Sequence, residues 1–161
     1  MATNIRVGFG YDVHCLSAGC PFWLGGIQID HHSGAVGHSD ADVLIHAICD
    51  ALLGAANLHD IGHQFPDNDP MLRGIDSKIL LRRTIDLVAQ KGYRVGNIDS
   101  TICLQSPKIG AYIDKMQQTL AETMGISPND VSIKATTTER LGFVGREQGV
   151  SAYAVVLIER V

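Results

Sequence analysis

The sequence has 161 residues, of which 45% are hydrophobic and 19% are charged, so it can fold as one domain, 1–161, around a core of ordinary size. Its formal net charge is −4 and it contains no basic cluster, which argues against nucleic acid as the main partner. The sequence lacks an apolar run of membrane-spanning length, and its N-terminus lacks the apolar core of a signal peptide.

In chain order, the sequence predicts strands over residues 5–11 and 22–29, helices over 40–56 and 77–91, a strand over 96–104, a helix over 111–124, and strands over 131–136 and 151–159. The strands are rich in β-branched and aromatic residues. The helices carry apolar residues at helical spacing. Ser39 is expected as the N-cap of the first helix, with Asp42 in a capping-box-like position, and Gly92 and Gly125 end the other two.

This order predicts an α/β (α+β) domain with a mixed β-sheet and helices packed on one of its faces. No helix remains for the opposite face. A self-association surface is therefore the expected cover for that face.

A metal site is predicted from two segments, GYDVH at 10–14 and HSDADVLIH at 38–46. Asp12 and His14 are two apart on an extended segment, so their side chains point the same way, and His46 comes from the first helix. Two imidazoles and a carboxylate form a three-ligand site of the catalytic zinc type, although Mn²⁺ or Fe²⁺ also accepts these ligands. Asp42 or Asp50 is expected to accept the second ring N–H of His46. Each residue taken alone could equally be structural.

The segment 60–70, DIGHQFPDNDP, is predicted as an irregular loop because Gly62, Pro66 and Pro70 disfavour a regular element. Its carboxylates and its aromatic Phe65 suit sugar hydroxyls or a hydrated cation. A solvated acidic turn would explain the same residues.

Two later segments suit phosphate groups. Segment 104–110 leads into the third helix, whose N-terminal amides favour anions, and Lys108 adds a point charge. Segment 134–139 offers three threonine hydroxyls and the carboxylate of Glu139, which suits a hard cation such as Mg²⁺. The alternatives are a helix start with an exposed lysine and the ordinary strand preference of threonine.

Together, GYDVH, HSDADVLIHAICDAL, DIGHQFPDNDP, QSPKI and KATTTERLGFVGR resemble the 2-C-methyl-D-erythritol 2,4-cyclodiphosphate synthase family, in this order and over nearly the whole chain. The resemblance implies a metal-dependent lyase of the non-mevalonate isoprenoid pathway. Its substrate would be 4-diphosphocytidyl-2-C-methyl-D-erythritol 2-phosphate, and its products the cyclic diphosphate and CMP.

The resemblance also implies roles for individual residues. Asp12, His14 and His46 match zinc ligands, Glu139 matches a ligand of the diphosphate-bound Mg²⁺ or Mn²⁺, and His38 and Thr137 match residues that stabilise the transition state. The positions that match substrate contacts are Asp12, Val13, His14, His38, Ser39, Asp60, Ile61, Gly62, Phe65, Pro66, Asp67, Asn68, Asp69, Leu104, Gln105, Ser106, Pro107, Lys108, Ile109, Gly110, Thr136, Thr137, Thr138, Glu139, Phe143 and Arg146.

The family further implies a homotrimer with active sites between subunits and sheets that face the threefold axis. Phe143 and Arg146 match residues near that axis, where an isoprenoid diphosphate binds in some members. The expected location is a bacterial cytoplasm, or a plastid for a processed form. Two other functions fit the same residues: a metal-dependent phosphohydrolase and a non-catalytic trimeric binder of isoprenoid phosphates.

Overall fold

A computed structural model describes residues 4–161 and contains a five-stranded mixed sheet beside a short hairpin. The strands are β1 (Ile5–Ala18), β2 (Phe22–Leu24), β3 (Ile27–Ile29), β4 (Ser33–Val36), β5 (Tyr93–Cys103), β6 (Val131–Thr136) and β7 (Gly149–Arg160). The large sheet has the order β4-β1-β7-β5-β6, in which only the β5–β6 pair is parallel, and β2 pairs with β3. The prediction of a mixed sheet is confirmed.

The helices are α1 (Val43–Ala55), α2 (Ile61–Gln64), α3 (Ser77–Gln90), α4 (Ile113–Met124) and α5 (Gly142–Gly145), with 3-10 turns at Pro70–Leu72, Gly110–Tyr112 and Pro128–Asp130. The three long helices pack on one side of the sheet, α1 against β1 and β7, α3 against β5, and α4 against β6. This arrangement confirms the predicted packing on one face. Within residues 4–161, none of the helices combines the length and the apolar composition that crossing a bilayer requires.

Helix α1 lies at the centre of the core and approaches β1 unusually closely. Its buried residues include Leu44, Ile48 and Leu52, all without solvent exposure. The close approach depends on two glycines of β1, because a Cβ atom at Gly8 would lie 1.8 Å from the Ala51 carbonyl oxygen, and one at Gly10 would lie 1.9 Å from the Ala47 carbonyl oxygen. These glycines set the distance between the side chains of β1 and those of α1.

The opposite face of the sheet carries a row of apolar side chains that are open to solvent in the single chain. They come from alternate positions of the two paired strands β1 and β7. The members of this outer face are Val7, Phe9, Tyr11, Val13, Tyr153 and Val155. Phe9, at its centre, is 63% exposed. An apolar patch of this kind is typical of an interaction surface.

The observed strands differ from the predicted ones in the first third of the chain. β1 continues well beyond the predicted end at residue 11, and β4 was not predicted because four residues give too short a pattern. The predicted single strand over 22–29 is wrong: Gly25 and Gly26, with φ of 60° and 80°, turn the chain back into a hairpin.

The predicted start of α1 at residue 40 is also wrong. Ala41 has a φ of 58°, which is incompatible with a right-handed helix, so the helix begins only at Val43. Its N-cap is Asp42, whose side chain accepts a hydrogen bond from Ile45 N at 3.1 Å, and not Ser39. Segment 60–70 is more ordered than predicted, since it contains α2 and a 3-10 turn that begins at Pro70, a position that needs no backbone N–H.

Candidate metal centre and substrate cavity

The three predicted metal ligands converge where β1 faces α1. Asp12 Oδ2 lies 2.9 Å from His14 Nε2 and 3.0 Å from His46 Nδ1, and the two ring nitrogens are 3.1 Å apart. Asp12 and His14 point to the same side of β1 because they are two residues apart. This is the one group of three or more metal-binding side chains found among residues 4–161.

Burial and the contacts among its own members act in opposite directions on the electrostatics of this cluster. Burial alone would raise the pKa of Asp12, but the hydrogen bonds from His14 and His46 outweigh it and hold the pKa below its ordinary value. Burial alone would lower the pKa of His14, but the hydrogen bond to Asp12, the negative charge of Asp12 and the hydrogen bond to the Val36 carbonyl together outweigh burial and raise the pKa. Asp12 is therefore an ionised, acceptor-only carboxylate between two imidazoles.

This donor set fits a divalent metal ion. Bonds of about 2.0–2.1 Å in a tetrahedral site separate neighbouring ligand atoms by about 3.3 Å, so the three atoms would need to move apart by only a few tenths of an ångström. Two imidazole nitrogens and one carboxylate oxygen also leave a further coordination position for a ligand. The chain therefore contains a metal-binding site of the open type.

The remaining nitrogen of each histidine ring is held by a fixed partner. His14 Nδ1 donates to the Val36 carbonyl oxygen at 3.1 Å, so the unpredicted β4 helps to orient this ligand. His46 Nε2 lies 2.9 Å from Ser77 Oγ and 3.1 Å from Ser39 Oγ. Sequence reasoning missed Val36 and Ser77 as partners, because Ser77 is 31 positions from His46 and neither residue belongs to a recognisable ligand pattern.

The prediction that Asp42 or Asp50 accepts the His46 N–H is wrong. The carboxylates of both aspartates bind backbone amides instead. Asp42 accepts from Gly25 N and Gly26 N at 3.0 and 2.7 Å and so fastens the β2–β3 turn to α1. Asp50 accepts from Ile61 N at 2.8 Å.

A cavity of about 350 Å³ opens beside the metal ligands. Of the predicted site residues, its walls contain His14, His38, Ser39, His46, Ile61, Gly62, Phe65 and Asp67. Leu72, Ile75 and Leu80, which were not predicted, add an apolar side. The cavity thus offers polar donors near the metal ligands and an apolar wall opposite, as expected for a small polar molecule with a carbon skeleton.

The other predicted residues of the acidic loop lie around this cavity and not in its wall. Asp60 caps α2 by accepting from His63 N at 2.8 Å, and Asp69 caps the next turn by accepting from Met71 N at 2.9 Å. His38 Nε2 lies 3.3 Å from the Asp69 carbonyl oxygen, which links the loop to the cavity. Pro66 and Asn68 are exposed. Val13 faces the outer side of the sheet.

A second group of predicted residues meets at the carboxyl ends of the parallel strands β5 and β6. We refer to segments 104–110 and 136–139 together as the β5–β6 edge. The two segments are joined by Leu104 N donating to the Thr136 carbonyl oxygen at 2.9 Å and by Arg140 N donating to Gln105 Oε1 at 3.1 Å. The β5–β6 edge is therefore one unit of structure.

Side chains of the β5–β6 edge differ in exposure. Leu104 and Ile109 are buried in the core, whereas Lys108 and Glu139 are exposed. Thr137 Oγ1 donates to Glu139 Oε1 at 3.3 Å. The segment from Gln105 to Pro107, together with Gly110 and Thr138, forms the surface around them.

The metal ligands and the β5–β6 edge lie at the same end of the sheet but not at one site. Val13 is in register with Ser151, which pairs with Cys103, which pairs with Thr136. Three strand spacings of about 4.8 Å therefore put roughly 14 Å between β1 and β6 along this row. The cavity wall contains no residue of the β5–β6 edge.

Phe143 and Arg146 are on the surface around α5, away from the cavity wall. Phe143 is 41% exposed, and Arg146 Nε donates to Gln148 Oε1 at 3.2 Å. The structure places the two residues together at the end of the sheet where β7 begins.

A mixed sheet and the helix α1 packed on it bring two histidines and an aspartate together beside a cavity with polar and apolar walls, and these features define a metal-binding α/β enzyme domain. The chain belongs to the YgbB family, whose model matches residues 5–159. A Bacteroides fragilis relative named 2-C-methyl-D-erythritol 2,4-cyclodiphosphate synthase is 65% identical over 158 residues, which cover 98% of this chain and 99% of the relative. The family expected from the sequence motifs is confirmed.

Two solved structures have the same fold. The bifunctional IspDF from Campylobacter jejuni is 39% identical with a TM-score of 0.95, and the match covers 99% of this chain but 43% of that longer chain. The IspF of Plasmodium falciparum, solved as a CDP complex, is 31% identical with a TM-score of 0.86, and 99% of each chain is covered.

Proposed function

We propose that this chain converts 4-diphosphocytidyl-2-C-methyl-D-erythritol 2-phosphate into 2-C-methyl-D-erythritol 2,4-cyclodiphosphate and CMP. The observation that carries the proposal is the convergence of Asp12, His14 and His46 beside a cavity lined by His38 and Ser39, in a member of the YgbB family. The high identity to relatives named as synthases of this product supports it.

The reaction is an internal phosphoryl transfer. An oxygen of the 2-phosphate forms a bond to the β-phosphorus, the bond from that phosphorus to the oxygen of CMP breaks, and CMP leaves with the electron pair. The new P–O–P bridge closes an eight-membered ring, and no water is consumed. Such a step requires alignment and charge neutralisation more than covalent help from side chains.

The protein residues have separate parts in this proposal. Asp12, His14 and His46 would hold Zn²⁺, and Glu139 would hold Mg²⁺ or Mn²⁺ at the diphosphate. When bound, these ions supply Lewis-acid neutralisation of the phosphate charge. His38 and Thr137 donate hydrogen bonds to non-bridging oxygens as negative charge develops on them.

The substrate is long enough to contact both the cavity beside the metal ligands and the β5–β6 edge. The methylerythritol part fits the cavity wall formed by Ile61, Gly62 and Phe65, beside Asp67. The cytidine and its phosphates are assigned to segment 104–110, with Ser39 and Lys108 as further phosphate donors. The CDP complex of the P. falciparum structure supports a cytidylyl ligand for this fold.

We propose that the active protein is a homotrimer of single-domain chains, 1–161, with active sites between subunits. The apolar outer face of β1 and β7 is a suitable trimer surface, because several large side chains on it are 40–65% exposed in the single chain. The separation of about 14 Å between β1 and β6 within one chain supports a site completed by a neighbouring copy. An isoprenoid diphosphate near Phe143 and Arg146, and a bacterial cytoplasmic location, belong to the same proposal.

The experiment that tests the activity is incubation of the purified protein with the cytidylyl substrate, Zn²⁺ and Mg²⁺ in ¹⁸O-labelled water, followed by phosphorus NMR and mass spectrometry. We expect equal amounts of CMP and unlabelled cyclic diphosphate, and no product after treatment with a chelator. A linear phosphate that contains ¹⁸O would identify a phosphohydrolase instead. Tight binding without release of CMP would identify a non-catalytic binder.

A further inference from the structure

The hydroxyl of Ser77 connects the metal ligands to a carboxylate outside the cluster. Ser77 is the first residue of α3 and is fully buried. Its Oγ lies 2.9 Å from His46 Nε2 and also donates to Asp40 Oδ1. Asp40, Ser77 and His46 therefore form a chain of hydrogen bonds that ends at a metal ligand.

The direction of these hydrogen bonds follows from the number of protons available. Asp40 accepts from three groups: the Ser77 N–H at 2.9 Å, the Asp42 N–H at 3.1 Å and the Ser77 hydroxyl. A serine hydroxyl has one proton, and here it goes to Asp40. Ser77 Oγ can then only accept from His46, so Nε2 of His46 carries a proton, and Nδ1 faces Asp12 and His14, where its lone pair can bind a metal ion.

Backbone contacts fix the chain of hydrogen bonds in place. Asp40 N donates to the Ile75 carbonyl oxygen at 3.1 Å, and Gly74 N donates to the His38 carbonyl oxygen at 2.8 Å. These bonds join the segment before α1 to the segment before α3. The orientation of His46 is thus set by the packing of two segments and does not depend on a bound ligand.

Ser39 also lies near His46 Nε2, but it has different surroundings. Its Oγ accepts from Ala41 N at 3.2 Å and lines the cavity, so its own proton is available to a ligand there. Ser77 does not line the cavity. The two serines therefore have different roles. Ser77 orients the imidazole ring of His46, and Ser39 faces the cavity in which the substrate is proposed to bind.

We propose that Ser77, held by Asp40, is a positioning residue that keeps the proton on His46 Nε2 and directs Nδ1 to the metal ion. This inference rests on the metal site of the proposed function. Removal of the group that holds the second nitrogen of a histidine ligand typically weakens metal binding about 10- to 100-fold.

The test compares zinc dissociation constants, measured by competition with a chelator, for the full-length protein and two variants. Ser77→Ala should bind zinc about 10- to 100-fold more weakly. Thr84→Val is the matched control, because it removes another fully buried hydroxyl about two turns further along α3, and it should bind zinc like the wild type. Thermal unfolding of the metal-free proteins measures the purely structural cost of each change.

A drop in affinity in Ser77→Ala beyond that in Thr84→Val supports the positioning role, whereas equal affinities in all three proteins overturn it. Should Ser77→Ala fail to fold, NMR of the zinc-loaded wild type decides. We expect the Nε2 proton of His46 to be protected from exchange with water, and rapid exchange contradicts the proposal. A wild-type protein that takes up no zinc would overturn the metal site itself and this inference with it.

Discussion

The metal ligands and the β5–β6 edge differ in how firmly the single chain fixes their side chains. Around Asp12, His14 and His46, the side chains are half-buried or buried, and both histidine rings have a fixed partner on their far side. At the β5–β6 edge, the threonine hydroxyls bond only to groups within three residues of themselves, as Thr138 Oγ1 does to the Leu141 carbonyl oxygen and Thr137 Oγ1 does to Glu139, and Glu139 is exposed. The metal ligands are thus arranged by one folded chain. The hydroxyls and charged side chains of the β5–β6 edge have only local contacts, and a ligand or a neighbouring copy can replace these contacts.

The strongest test of this comparison removes a metal ligand. His46→Ala should abolish tight zinc binding and lower turnover by about 10³-fold or more, since a Lewis acid contributes several kcal/mol and each 1.4 kcal/mol is a factor of ten. Zinc content by mass spectrometry and CMP release measure the two effects. His59→Ala, at an exposed histidine outside the cavity, serves as the control and should change neither. Full turnover of zinc-free His46→Ala would refute the proposed role.

A change on the outer face should separate the two regions. Phe9→Glu places a charge where a trimer would bury it, at a cost of several kcal/mol for each copy. We expect sedimentation to show monomers that still bind zinc but release little CMP. Val161→Glu, at an apolar side chain that is 86% exposed at the chain end, should leave the assembly intact. A monomeric Phe9→Glu protein with full turnover would show that each chain has a complete site.

Removal of one donor at the β5–β6 edge should have a smaller effect on turnover. Thr137→Val should lower kcat by about 10²- to 10³-fold, the usual loss for one donor to developing negative charge. Zinc affinity should not change, because Thr137 is not part of the metal cluster. Thr119→Val, on α4, is the matched control. A parallel loss of zinc from Thr137→Val would contradict the separation of the two regions.

The smallest expected effect is on stability, and it comes from the close contact between Gly10 of β1 and the backbone of α1. Gly10→Ala would put a methyl group on the Ala47 carbonyl and should lower the free energy of unfolding by about 1–3 kcal/mol or more. Gly54→Ala, within α1 itself, has open space around it and should raise that free energy by roughly 0.5–1 kcal/mol. Urea unfolding followed by circular dichroism measures both. Equal stability of Gly10→Ala and the wild type would show that α1 can shift without cost.

Sequence reasoning succeeded where a local pattern determines the structure. β6 occupies the predicted residues, α3 differs from its prediction by one residue, and Gly125 ends α4 with a φ of 70°. The pairing of Asp12 with His14 follows from strand alternation alone. The family motifs identified His38, Ser39 and Phe65, which the structure brings to one cavity.

The failures come from contacts between distant segments. The positive φ at Ala41 and the binding of Asp42 to the Gly25–Gly26 turn cannot be read from a helix-capping pattern, so the start of α1 and the partner of His46 were predicted incorrectly. Ser77 contributes to the metal centre only because the segment before α3 packs against the segment before α1. Such contacts depend on the tertiary fold and leave no periodic signal in the sequence.

The position of β7 in the sheet has a consequence for how the protein forms. This strand comes after all the others in sequence, yet it lies in the middle of the sheet, between β1 and β5. During synthesis on the ribosome, the pair β4–β1 and the pair β5–β6 therefore cannot join into one sheet until residues 149–160 have been made. Pairings between such distant residues form slowly. We expect pulsed hydrogen exchange during refolding to show β1 and β7 gaining protection together and after α3.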